Sequence, residues 1–289
     1  MTKVSIDAIK ALRDRTGAGL MDCKNALVAT NSDIAKAIVW LKEKGITKAA
    51  NKAGRIAAEG RSWILVNGSK ALIFEVNSET DFVSESAAFG EFTKKVGELL
   101  LAKQPKDLAS AQELIKPLIA DYTLKLGEKI DLRRFQFVDL PEGDIFGTYI
   151  HKQGKIAVLA ILKGGDQEFA DNIAMCVCGN DPKYLSDKDI PASVLAEQTK
   201  IETVASENDP KFKTKPAAIQ KKIIEGRVHK ILSENVFTEQ EYILDTTKTI
   251  GQVLKESNAT LVTAYRFETG EGIEKKAENF AAEVAAQLK

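Results

Sequence analysis

At Ser62 the apolar residues of this chain change their spacing, from the three-and-four rhythm of a helix to the alternation and short runs of strands. Upstream, Ile6, Ile9 and Leu12 recur at helical spacing behind Ser5, and Thr16-Gly-Ala-Gly19 breaks that helix. Leu20, Cys23 (or Lys24) and Leu27 carry a second stripe. Ile34, Ile38 and Leu41 carry a third, with caps available in Asn31-Ser-Asp33 and an end at Gly45. Three helices this short make a marginal core of their own. The alanine- and lysine-rich stretch from Thr47 to Ala58 reads as a helical connector to the strand-forming region.

Downstream, Ser62–Val66, the turn dipeptide Asn67-Gly68 and Lys70–Val76 predict a β-hairpin. A loop over Asn77–Val83, a helix near Ala87–Ala102, a helix carrying Leu114, Leu118, Tyr122 and Leu126, and an alternating strand at Ile130–Val138 complete one unit. The order then recurs. Ile145–His151, a turn through Gly154 and Lys155–Leu162 give a second hairpin, followed by a helix at Glu168–Val177 and a late strand at Thr260–Phe267. Agreement in order and spacing predicts an α+β fold whose core is two related subdomains with antiparallel sheets.

The second unit is interrupted. Residues Asp181–Glu241 hold four of the seven prolines (Pro182, Pro191, Pro210 and Pro216), which bracket two helical stretches, Ala192–Ser206 and Ala217–Glu234. These predict an inserted αα-hairpin, with Ile219, Ile223, Val228 and Ile231 striping its second helix. Its own chain or a second copy in a homodimer would cover that stripe. A final helix is expected at Lys276–Leu288. The expected division is residues 1–55, 56–140, 141–268 with the insertion at 182–235, and 269–289.

Composition narrows function. With 41 basic and 41 acidic side chains the formal net charge is +0, so no general polyanion-binding surface, and no direct nucleic-acid binding, is expected. Three cysteines are too few for a disulfide framework. The opening MTKVSIDAIKALRDRTG has no apolar core and carries acids early, unlike a signal or transit peptide. No uncharged apolar stretch approaches the ~18 residues of a membrane span. A cytoplasmic, reducing environment is the expectation.

Few residues offer chemistry. The two histidines, His151 and His229, sit in no metal or triad spacing, which weakens any enzyme reading, and no cofactor or metal is expected. Cys176 and Cys178, two apart on a helix, point about 200° from one another and read as buried small residues. Thr16-Gly-Ala-Gly19 and Gly270-Glu-Gly272 lack the context of phosphate-binding loops and read as turns. The lysine-rich connector Lys48–Arg55 could touch RNA, but it reads better as a solvated helix face, because acids balance the chain overall and no aromatics interleave there. In Glu79-Thr-Asp-Phe-Val83 an aromatic follows an acid in a loop between strand and helix. Phe82 either folds into the core beneath or stands out as an anchor for a partner's pocket.

Three stretches carry a family resemblance: Thr16-Gly-Ala-Gly-Leu-Met-Asp-Cys-Lys-Asn-Ala-Leu27, Phe74-Glu-Val-Asn-Ser-Glu-Thr-Asp-Phe-Val83 and Phe267-Glu-Thr-Gly-Glu-Gly-Ile-Glu-Lys-Lys-Ala-Glu-Asn-Phe-Ala-Ala-Glu-Val-Ala-Ala286. They are similar to signature stretches of the bacterial elongation factor Ts family, in order and across essentially the whole chain. The resemblance implies a ubiquitin-associated-type three-helix domain, a two-subdomain core, an inserted hairpin and a C-terminal helical module. It implies guanine-nucleotide exchange on elongation factor Tu, with no bond chemistry. Thr80, Asp81, Phe82 and Val83 would act on the partner's Mg²⁺ site, Phe82 as a wedge between two helices. Leu20, Met21 and Lys24 would contact another helix of the partner, and Leu126, Gly127 and His151 would add core contacts. Ser84-Glu-Ser86 departs from the family pattern, adding an acid beside the wedge.

Overall fold

The computed structural model describes residues 4–274, so the helix expected at Lys276–Leu288 lies outside the described residues. The chain divides into two compact units. Among the described residues, the first comprises 4–138, Ile150–Ala157 and 267–274; the second comprises Asp139–Tyr149 and Val158–Arg266.

The first unit opens with α1 (Ile6–Thr16), α2 (Leu20–Ala29) and α3 (Ile34–Lys52). The Ser5 hydroxyl accepts from the Ala8 N–H and the Asp33 carboxylate from the Lys36 N–H, so both expected caps form. Leu12, Cys23, Ala26, Leu27, Ala37 and Leu41 are buried together. Next come β1 (Glu59–Asn67), β2 (Lys70–Ser78), α4 (Asp81–Glu85), α5 (Ala87–Lys103), α6 (Leu108–Leu126) and β3 (Ile130–Asp139).

Three local expectations change here. The helix expected to stop at Gly45 runs on to Lys52, because Gly45 is buried within α3 against α6. A Cβ at that position would lie 2.7 Å from the Ala120 carbonyl oxygen. The glycine is a contact rather than a stop. In the β-hairpin Asn67 pairs with Lys70, which leaves Gly68 and Ser69 as the turn residues, with Gly68 at φ 61°. The segment expected as loop over Asn77–Val83 already becomes helical at Asp81, where Thr80 supplies the cap.

The first sheet has the order β1-β2-β3, with β1 and β2 antiparallel. Its core joins Leu72, Phe74 and Val76 of β2 to Phe89, Phe92, Val96 and Leu100 of α5 and to Ile115 and Tyr122 of α6. Each fully buried phenylalanine contributes ~1.5–3 kcal/mol relative to exposure.

Elements of the later chain are β4 (Asp144–His151), β5 (Ile156–Lys163), α7 (Gln167–Asn180), α8 (Ala192–Glu207), α9 (Pro210–Lys213), α10 (Ala217–Ser233), β6 (Glu241–Tyr242), β7 (Asp245–Thr249), α11 (Ile250–Glu256) and β8 (Thr260–Glu268). Strands β4, β5 and β8 form the second sheet in that order. On α7, Ala170, Ile173, Ala174, Cys176, Val177 and Cys178 are buried, so both cysteines are core residues, and burial pushes the Cys176 thiol up from its ordinary pKa. Helices α8 and α10 pack together, and Arg227 donates to the buried Ser206 hydroxyl at 2.8 Å. The hairpin β6–β7 and α11, capped by Thr249, leave no mark on the sequence pattern because each is too short to show a period. Among the described residues no helix is long and apolar enough to cross a membrane.

Candidate interaction site

Every residue expected to carry function falls in the first unit: Leu20, Met21, Lys24, Thr80 to Val83, Leu126, Gly127 and His151. The most unusual of them is Phe82. It is 87% exposed, on a short helix that follows β2, a strand buried from Ala71 to Ser78. Of the two sequence alternatives, core or anchor, the side chain is outside the core.

The chain leading to it is tightly held. Backbone N–H groups of Glu79 and Thr80 both donate to one oxygen of the Glu128 carboxylate, each at 3.0 Å. The Thr80 hydroxyl donates to the other oxygen at 2.6 Å and accepts from the Val83 N–H, capping α4. In return, the Glu79 carboxylate accepts from the Lys129 N–H at 2.6 Å and from Arg55 at 3.2 Å. Each segment therefore caps the other's backbone.

Glu128 reaches the loop because Gly127 ends α6 in the left-handed region, at φ 76° and ψ 3°, with its N–H bonded to the Thr123 carbonyl. No atom lies within 4 Å of a Cβ built there, so backbone conformation rather than space calls for glycine. At the other end of α4, Arg61 of β1 donates from Nε to the Ser84 carbonyl at 2.6 Å and from Nη2 to the Ser86 carbonyl at 3.3 Å. Desolvation in that position lowers the Arg61 pKa. Within α4, Val83 packs on the core and Ser84 is buried, while Asp81, Phe82 and Glu85 face outward. The Asp81 carboxylate bonds the Phe82 N–H at 2.8 Å.

The second group lies on α2. Leu20 and Met21 are exposed, Met21 by 64%, and Lys24 is exposed beside them. Between them Asp22 turns inward to Lys44 and Lys48 of α3, at 2.8 and 2.7 Å. Cys23 and Leu27 fill the core on the same helix, so α2 presents an apolar outer face as well as an inner one. Leu126 is half-buried at the end of α6 next to Gly127, and His151 is half-buried at the end of β4. The structure joins Thr80 to the turn after Gly127 through Glu128; Leu20, Met21, Lys24 and His151 stand on other elements. Glu128, Arg61 and Arg55 are not picked out by the sequence. No local signal points to them, because Arg61 and Arg55 bond groups more than 20 residues along the chain and Glu128 groups nearly 50 residues back. No cluster of three metal-binding side chains occurs among the described residues.

Comparison with known proteins decides the family. The family model described as Elongation factor TS matches residues 79–271. Curated relatives named Elongation factor Ts include one from Lacticaseibacillus casei, 42% identical over the whole of both chains. Those from Spiroplasma citri and Acholeplasma laidlawii are 41% and 40% identical, over 99% and 97% of each chain.

The chain belongs to the elongation factor Ts family.

It is thus a translation elongation factor, working in protein biosynthesis. Membership in the elongation factor Ts family gives the exposed Phe82 a context that packing alone does not. The family match begins at Glu79, one residue before the Thr80 cap, and so takes in the whole of α4.

Proposed function

We propose that this chain promotes release of GDP from elongation factor Tu, so that GTP can bind, and that it makes and breaks no covalent bond itself. The observation that carries the reading is Phe82, 87% exposed on a helix fixed at both ends. An aromatic held out in water gains only where a partner supplies a pocket.

An exchange factor must bind the nucleotide-free partner better than the nucleotide-bound one. Linkage then requires GDP to weaken the factor's binding by the same ratio. Phe82 suits this role as a wedge whose burial is available only when the partner's helices have shifted. Full burial contributes ~1.5–3 kcal/mol, roughly one to two powers of ten in affinity. Larger coupling draws on Leu20, Met21 and Lys24 of α2 and on Leu126, Gly127 and His151. Thr80 and Val83 anchor the wedge, and Asp81 acts on the partner's Mg²⁺ or phosphate by charge. No cofactor, metal, membrane or nucleic acid takes part, and the work is cytoplasmic.

The four-part division at 1–55, 56–140, 141–268 and 269–289, with two related core subdomains, belongs to the same reading. So does a homodimer through the α8–α10 hairpin, supported by the exposed Leu195, Ile201, Val204 and Ile219 on it. Sedimentation velocity at micromolar concentration tests the dimer. Calorimetric titration of this chain into elongation factor Tu, nucleotide-free and GDP-loaded, tests the exchange reading: the nucleotide-free form is expected to bind far more tightly. Equal affinities would exclude coupling.

A further inference from the structure

We propose that Glu128 and Arg61 are positioning residues that clamp α4 from its two ends and so hold Phe82 in the pose that enters the partner. The inference rests on the exchange function proposed above.

A five-residue helix has no stability of its own, since nucleation costs more than one or two internal hydrogen bonds return. What orders α4 must come from its surroundings. Val83 and Ser84 supply packing beneath it. Polar control comes from the two ends. Glu128 takes the Glu79 N–H, the Thr80 N–H and the Thr80 hydroxyl. Arg61 takes the Ser84 and Ser86 carbonyls. Anion at the amino end and cation at the carboxyl end match the direction of the helix dipole, and all five bonds involve a charged group.

Glu128 is in turn held in place. It leaves α6 through the left-handed Gly127, and its neighbour Lys129 is bonded through its N–H to Glu79. The same turn thus carries two residues expected to meet the partner, Leu126 and Gly127, and the acid that fixes the wedge. A partner helix meeting this surface encounters Phe82 with its backbone already ordered. The ordering cost of binding is met during folding, which is the usual advantage of preorganisation. A wedge held out of position is expected to lose up to what removal of the ring loses, roughly one to two powers of ten.

The test uses the full chain and elongation factor Tu loaded with a fluorescent GDP analogue. Variants are Glu128→Ala, Glu128→Gln, Arg61→Met and Phe82→Ala, alone and with Glu128→Ala combined with Phe82→Ala. Glu128→Ala is expected to slow stimulated release about ten- to hundredfold, with Glu128→Gln recovering part of the loss because its shape and one acceptor remain. In the Phe82→Ala background Glu128→Ala is expected to change nothing further, since the clamp acts through the phenyl ring. Losses that multiply in the double variant, or a Glu128→Ala chain as fast as the unmodified one, would overturn the clamp. Amide hydrogen exchange at Glu79 and Thr80 is the readout that needs no partner. Their protection is expected to fall sharply in Glu128→Ala while that of β1 is kept; unchanged protection also overturns the proposal. Should the unmodified chain fail to accelerate release, the exchange reading falls, and amide exchange alone judges whether Glu128 orders α4.

Discussion

The carboxylate of Glu75, wholly buried in β2, accepts a hydrogen bond at 2.8 Å from the backbone N–H of Gly270, 195 residues later in the chain. The same carboxylate meets Arg133 at 3.0 Å, Arg134 at 2.6 Å and the Asn77 amide at 3.0 Å. Arg134 continues to the Glu271 carboxylate, and its guanidinium lies over the Phe267 ring. One buried anion thereby fastens the chain after β8 to the sheet that leads to Phe82. Glu75→Gln removes the charge and leaves two partly buried guanidiniums without it. Unfolding in urea is expected to show a loss of about 3 kcal/mol, as for other broken buried pairs.

Gly45 gives a prediction whose sign runs against propensity. In an exposed helix interior Gly→Ala stabilises by about 1 kcal/mol. Here the added Cβ would stand 2.7 Å from the Ala120 carbonyl, on backbone that cannot swing away. Gly45→Ala is expected to destabilise by roughly 1–3 kcal/mol through separation of α3 from α6. Thermal unfolding of the pure variant decides the sign.

Asp22 sets a pH dependence. Burial pushes its carboxyl up, but hydrogen bonds and charge from Lys44 and Lys48 outweigh that and hold it below the ordinary carboxylate range. A depressed carboxyl contributes stability that is full above the unfolded value of ~3.9 and is lost as pH falls through the folded value. Asp22→Asn is expected to cost about 1–2 kcal/mol at pH 7, and the gap to the unmodified chain should shrink below about pH 4. A gap that stays constant to pH 2.5 would rule out the linkage.

Phe82→Ala separates function from folding. At 87% exposure the ring supports little of the fold, so stability is expected to stay within about 0.5 kcal/mol. Stimulated nucleotide release is expected to fall by roughly ten- to a hundredfold. Measuring both on one preparation shows whether the two properties part company.

Local signals in the sequence are strong where a period or a cap is involved. Ser5 and Asp33 cap α1 and α3 as read, the helical stripes bury Leu12, Leu27 and Leu41, and the alternation at Ile130–Val138 becomes β3. Signals fail where a residue has two uses. Gly45 reads as a helix stop because glycine often is one, whereas a close helix contact needs it just as much. Thr80 reads as loop because a five-residue helix has no period to detect, although Thr-Asp at its start is a cap pattern. Phe82 is undecidable from sequence, since exposure depends on what lies beneath the chain. Glu128 is invisible for a related reason: its partners are some 48 to 49 residues away, and nothing local records that pairing.

The most direct measurement is release of a fluorescent GDP analogue from elongation factor Tu at fixed Mg²⁺, with this chain at substoichiometric amounts. Strong acceleration with turnover, each copy of the chain serving many copies of the partner, is the expected result. A folded sample, verified by its unfolding transition, that leaves the release rate unchanged would contradict the exchange reading.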